Sequence, residues 1–356
     1  MSGVLSSHET RGEQGAGRRE ALHAAVRRAA LPPSGQETQP WMFRLRGDDA
    51  LELHADPGRL HSIADPHGRE AIISCGAALF RVRVALLAAG HAGRVELLTD
   101  STEPSLLARV RLGEPHVPTP ADRALDAGIR CGWSDRSVYE ARGIAPHILS
   151  LLLGAAREEG AWLGFVDTPV LRRALAGLVV AAHRRQRDDP RRRREHALRA
   201  HRNDGAIPDG LPATYPGGPA YLSYLGLPVP RAVGRDPAIA ERVQGWVDRA
   251  ATIAVLATRG DARADWLVAG QALARVLLTA RAAGVAASYL NQPVEVPELR
   301  PGVAELVRAA ADPGVPGGRG GMPTDAAPQV VLRLGHATEP RPAEPRPADA
   351  LLPTPS

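Results

Sequence analysis

The segment Pro33-Ser34-Gly35-Gln36-Glu37-Thr38-Gln39-Pro40-Trp41 sets short polar side chains and backbone amides between prolines. Such a loop can meet a flat heterocycle, and Pro40 fixes the direction in which the chain leaves it. Further on, Ile129-Arg130-Cys131-Gly132-Trp133-Ser134-Asp135-Arg136 offers guanidinium forks and a hydroxyl. That combination suits a phosphate dianion, which accepts bidentate hydrogen bonds. Ser288-Tyr289-Leu290-Asn291-Gln292-Pro293 and the tail from Arg341 to Pro347, with Arg346, add further donors.

Other chemistry is excluded by what is missing. All 44 positive residues are arginine, so Schiff-base lysines, phosphate-loop lysines and lysine general bases are absent. An anionic ligand must therefore be held by Arg or by backbone N–H groups. There is no G-x-G-x-x-G after a strand, no G-x-S-x-G and no H-E-x-x-H. His54, His61 and His67 are irregularly spaced near Asp56 and Asp65, and read as surface residues rather than a metal site. Cys75 and Cys131 form no CxxC motif, which suits a reducing compartment, and Cys75 sits in an apolar helical run as packing.

The net charge of +5 and pI near 9.8 raise the question of nucleic acid. The arginines are spread out except around Arg184 to Arg202, where Asp188, Asp189 and Glu195 interrupt them, so a solvated face is the expectation. Met1 to Glu20 has no apolar h-region, and no uninterrupted apolar run approaches a membrane span. The chain is expected to reside in the cytoplasm.

The elements that must position these segments alternate between helix and strand. A helix at about 18–30 precedes the Leu31 to Pro40 loop, and strands follow at Trp41 to Arg46 and Ala50 to Ala55. A helix from Arg69 to Ala89 closes at Gly90, followed by a strand Arg94 to Thr99. The second half begins with a helix at about 146–159, a strand Ala161 to Val166 and a helix near 169–184. After a long irregular region come a strand Thr252 to Thr258, a helix at 264–283, and strands near Ala286 to Leu290 and Gln329 to Leu334. With only 4% aromatic residues, Ala and Leu must fill most of the core.

A shift of 194 positions aligns Gly76 with Gly270, Leu79 with Leu273, Arg81 with Arg275 and Gly90 with Gly284. One helix and its terminating glycine have thus been used twice. The earlier helices match at a shift of 130, Ala25-Val26-Arg27 against Ala155-Ala156-Arg157. The 64-residue difference implies an insertion at about 186–244, and a Gly/Pro-rich insertion of that length reads as a lid or binding loop. The expected domains are a disordered 1–17, a first repeat at 18–125, a second repeat at 126–337 and a Pro-rich arm at 338–356.

In order and spacing these segments resemble the nitroreductase superfamily, in particular its Acg-like branch, in which one chain imitates the usual dimer. Pro33 to Trp41 is similar to its P-S-x-x-N-x-Q-P-W loop, with Glu37 where the family usually has Asn. A carboxylate cannot supply that amide donor. Ser134 and Arg136 match its R-x-[ST]-x-R phosphate motif, whose first position is Gly132 here, with Arg130 as a substitute. The likeness extends to Asp65-Pro66-x-Gly68-Arg69-Glu70 and to Val331 to Gly335.

The resemblance implies an α+β layered sandwich of two fused repeats, each with a mixed β-sheet flanked by helices, packed as a monomeric internal pseudo-dimer. It implies one FMN, held by Pro33, Ser34, Glu37, Thr38 and Gln39 from the first repeat. The second repeat would supply Arg130, Ser134, Arg136, Ser288, Leu290, Asn291, Gln292 and Arg346. The implied activity is hydride transfer from NAD(P)H through FMN to a nitroaromatic, quinone or similar acceptor. No protein residue is named as catalytic, since the flavin carries the chemistry. The rival is an FMN-sequestering or storage protein with a lid-covered flavin and little turnover.

Overall fold

The computed structural model describes residues 17–29, 39–59, 63–99, 102–129, 139–192, 194, 237–311, 322, 323 and 325–337. The expected disordered start, except residue 17, the inner part of the insertion and the Pro-rich arm lie outside them. Residue 17 already belongs to the first helix.

The first half comprises helix α1 (17–29), strands β1 (Trp41–Arg46) and β2 (Ala50–Ala55), helix α2 (Arg69–Ala88), strands β3 (His91–Leu97) and β4 (Leu106–Pro115), and helix α3 (Pro120–Ile129). The second half comprises α4 (Pro146–Glu158), β5 (Trp162–Phe165), α5 (Pro169–Asp188), α6 (Pro237–Arg249), β6 (Thr252–Thr258), α7 (Arg263–Ala282), β7 (Ala286–Tyr289), α8 (Gln292–Glu295), α9 (Arg300–Ala311) and β8 (Ala327–Gly335). The ends of the insertion are therefore helical: α5 runs on to Asp188, and α6 begins at Pro237.

The two sheets have the same layout, β1-β2-β4-β3 and β5-β6-β8-β7. Every described strand pair is antiparallel, which corrects the expectation of mixed sheets. The reason lies in the crossover. Helix α2 carries the chain from β2 to β3, which point the same way, but β4 fills the slot between them and opposes both. The same holds for β6, α7, β7 and β8.

Helices α2 and α7 pack against each other at the centre of the molecule. Each ends at a glycine with positive φ, Gly90 at 85° and Gly284 at 70°, as a left-handed C-terminal cap requires. Where they cross, Gly76 meets Gly270. A Cβ on Gly270 would stand 1.9 Å from the Ile73 carbonyl oxygen and 2.8 Å from the Gly76 Cα. One on Gly76 would stand 2.2 Å from the Leu267 carbonyl oxygen. The contact is reciprocal in the side chains as well: Ile73 joins the apolar cluster of the second half, and Leu267 that of the first. These two residues are also 194 positions apart. By length and composition α2 is apolar enough to cross a membrane, but most of it is buried in this interface and in the adjoining cores.

Strands β2 and β6 are buried along their whole length, and this overturns one expectation. His54, read as a surface residue, has no exposed surface because β2 lies between β1 and β4. Its Nδ1 is 3.2 Å from Ser105 Oγ and its Nε2 is 3.5 Å from Glu52 Oε2. Cys75 belongs to the core, as expected, and so does Trp41. Burial opposes ionisation of Glu52, but Arg109 at 2.8 Å, Arg46 at 2.6 Å and His54 bring its carboxyl from 4.5 to about 2. A depressed folded-state pKa gives stability that is present above about 4.5 and lost as pH falls toward about 2. The stability gap between the wild type and Glu52→Gln should therefore close across that window in urea titrations. A gap that stays constant with pH would contradict this account.

Candidate functional site

The sequence-nominated residues Pro33, Ser34, Glu37, Thr38, Arg130, Ser134, Arg136 and Arg346 lie outside the described residues. Gln39, Ser288, Leu290, Asn291 and Gln292 are described, and all five are buried.

Gln39 has φ 45°, the one positive value at a non-glycine among the described residues. Its left-handed conformation turns the chain out of the Pro33 to Thr38 loop into β1. The exit is docked on α2, where Cys75 Sγ lies 3.4 Å from the Pro40 carbonyl oxygen. Burial pushes the Cys75 thiol up, so it stays a packing group.

The segment after β7 is clamped to β8. The Leu290 N–H donates to the Val331 carbonyl at 2.8 Å, and the Val331 N–H donates to Asn291 Oδ1 at 2.9 Å. An asparagine side chain thus takes over the ladder where β7 stops. The Asn291 carbonyl then accepts the N–H groups of Val294 at 2.8 Å and Glu295 at 3.1 Å, starting α8. The Leu290 amide, a candidate to face a ligand, is in this way committed to the sheet. Ser288 is wholly buried, and its hydroxyl accepts from Arg333 Nε. The Arg333 guanidinium lies 4.3 Å from the centre of the Tyr139 ring.

Next to this segment is a cavity of about 400 Å³, bounded by the start of α2, the end of α5, α8 and α9. Asp65, Arg69, Glu70, Arg192, Glu295 and Arg300 line it. Asp65 Oδ2 accepts the Ala71 N–H at 3.0 Å, using a free amide of the first turn of α2. Arg69 donates to the Gln329 carbonyl at 2.8 Å, to its side-chain oxygen at 3.0 Å and to Glu70 at 3.3 Å. Gln186 donates to Glu295 Oε2 at 2.6 Å, and Arg192 to the Ala64 carbonyl at 2.9 Å.

Arg192 and Arg185 therefore turn part of the expected solvated arginine face toward this cavity. Burial works against ionisation of Asp261 at the rim. It is outweighed by the Arg300 fork at 2.6 and 2.8 Å, Trp266 Nε1 at 2.7 Å and Gln329, which hold the carboxyl at about 2.

Burial, and then the charge of Glu295, pushes the Glu70 carboxyl well above the usual carboxylate range; burial also raises Glu295. Sequence reasoning reached Asp65, Arg69 and Glu70 as a stretch of likeness but gave them no task. Nothing in local composition links Glu70 to Glu295, which stands 225 positions further along the chain.

No family model matches the chain. A Mycobacterium tuberculosis protein named "Putative NAD(P)H nitroreductase Rv3131" is 31% identical over 339 residues, covering 94% of this chain and 89% of that protein. "Putative NAD(P)H nitroreductase acg" from the same organism is 26% identical over 335 residues, covering 92% and 93%. A solved nitroreductase-type structure from Anabaena variabilis superposes with a TM-score of 0.52 over 89% of this chain and 88% of its own, at 10% identity. With its two matching sheets and a relative above 30% identity along nearly its whole length, this chain belongs to the nitroreductase family.

Proposed function

We propose that the chain binds one FMN between its two halves and works as an NAD(P)H-dependent oxidoreductase on a nitroaromatic, quinone or similar acceptor. The reciprocal crossing of α2 and α7 carries this reading. It sets the start of α2 beside Val294 and Glu295 of the other half, and Pro40, where the chain enters β1, is docked on α2. A single chain thereby has the arrangement of a dimer, and we expect it to act as a monomeric pseudo-dimer with repeats at 18–125 and 126–337.

Buried Ser288, Asn291 and Gln292 offer the fixed polar groups that a flat heterocycle needs at its edge. With no lysine in the chain, the phosphate falls to Arg130, Ser134, Arg136 and Arg346, and Pro33 to Gln39 would cover one face of the ring. FMN, when bound, supplies the hydride chemistry. The chain's own task is to orient the ring, exclude water and set the charge around it. The buried free thiol of Cys75 is in keeping with a cytoplasmic, reducing setting.

The test is direct. Purified protein should be yellow, and NADH or NADPH without air should bleach the oxidised flavin band, with the colour restored by a quinone. Bleaching by dithionite but by neither nucleotide would instead identify a flavin-sequestering protein, with the segment at about 186–244 as its lid. A colourless preparation would remove the cofactor reading altogether.

A further inference from the structure

The cavity holds three carboxyls, Asp65, Glu70 and Glu295, facing two guanidiniums, Arg69 and Arg192. Both arginines stay charged, because a guanidinium does not lose its proton in a protein. Four of these groups are buried and Arg192 is half-buried; an uncompensated charge in such a site costs several kcal/mol, and a group so placed takes up a proton instead.

The hydrogen bonds indicate where that proton sits. Burial raises the Asp65 carboxyl, but the amides at the start of α2, Ala71 among them, oppose that rise and leave Asp65 better supplied with donors than either glutamate. One oxygen of Glu70 faces Arg69 and one of Glu295 accepts from Gln186, while Glu70 Oε2 and Glu295 Oε1 are buried with no hydrogen-bond partner. Two bare carboxylate oxygens in one buried site are tolerable if they share a proton. The other titratable or charged groups facing the site are His67, Arg185, Asp189, Glu298 and the Asp261–Arg300 pair.

We propose that Glu70 and Glu295 share one exchangeable proton and donate it to an electron acceptor bound in this cavity. The donor role rests on the oxidoreductase reading given above; the shared proton does not. A quinone reduced to a hydroquinone needs two electrons and two protons. The hydride, drawn ultimately from NAD(P)H, brings both electrons and one proton. The carboxyl O–H bond breaks as the second O–H forms on the acceptor, leaving both glutamates ionised until water returns a proton through the open side of the cavity.

The proton itself is read in the full-length protein by infrared spectroscopy. At neutral pH the wild type should show the C=O stretch of a protonated carboxylic acid, shifted in D2O. Each of Glu70→Gln and Glu295→Gln should lose it, since two carboxyls then face two arginines. A wild type without the band, or variants that retain it, would overturn the shared proton.

The donor role is read by stopped-flow reoxidation of the NADPH-reduced holoprotein. The rate with a quinone, divided by that with ferricyanide, which takes electrons without protons, should fall about a hundredfold in either variant. An unchanged ratio would overturn the donor role. If a variant does not fold, the wild type decides: quinone reoxidation should slow in D2O and ferricyanide reoxidation should not. Protein without flavin would end the donor role with the oxidoreductase reading, while the infrared band would still report the proton.

Discussion

Gly270→Ala should destabilise the protein by about 3 kcal/mol, toward the upper end of what overpacking a core usually costs. The added Cβ meets the Ile73 carbonyl oxygen and the Ala77 nitrogen, which are backbone atoms, so no side chain can swing aside. Relief requires α2 and α7 to move apart along a contact that builds both cores. Gly76→Ala should behave alike, because its Cβ runs into the Leu267 carbonyl. Gly154 in α4 and Gly177 in α5 serve as controls. A Cβ there meets nothing within 4 Å, so alanine should stabilise by about 0.5–1 kcal/mol through the lower backbone entropy of the unfolded chain. Urea denaturation of the four variants checks both signs, and a mild effect at Gly270 would mean that the helices are not in contact there.

Arg69→Met should cost about 3–5 kcal/mol near neutral pH, the usual penalty for leaving buried charge without its partner. It removes the cation facing Glu70 and two hydrogen bonds to Gln329, and takes one of the guanidiniums away from the three carboxyls. The loss should depend on pH in a definite direction. Carboxyls whose folded-state pKa is raised contribute stability fully below the unfolded value of about 4.5, and lose it as pH rises through the higher folded value. Removing Arg69 obliges the site to hold a further proton. The difference between variant and wild type should thus be small near pH 4.5 and grow toward alkaline pH, as read from denaturation midpoints. A difference that shrinks as pH rises would contradict the charge count.

Periodicity and turn chemistry made much of the fold legible. The β1 and β2 bounds, the α2 helix with Gly90, and the α7 helix with Gly284 could all be read from apolar spacing and capping glycines. Strand β4 went unnamed, although Ala108-Arg109-Val110-Arg111-Leu112 alternates cleanly, because polar residues flank it on both sides. Pairing direction was not legible: a helix between two strands suggests a parallel pair, and only the tertiary arrangement shows that β4 has taken the slot between them.

For the site, types and spacing nominated the 288–292 segment but could not show that the Leu290 amide is committed to Val331. The burial of His54 and the placing of Glu70 and Glu295 on one cavity were beyond local reading. Each depends on which strand or helix end comes alongside, and no window of sequence holds that information.

The exchange of Ile73 and Leu267 across the crossing bears on how such a chain can diverge. Two separate copies would need to find each other, and dilution would pull them apart; a covalent tether keeps the second copy at a high effective concentration. Once association is guaranteed, sequence identity between the partners is no longer required. The exposed Arg94 and Glu96 stand 194 positions before buried Ser288 and Leu290. One edge faces solvent while its counterpart is enclosed, an asymmetry that a symmetric homodimer could not acquire.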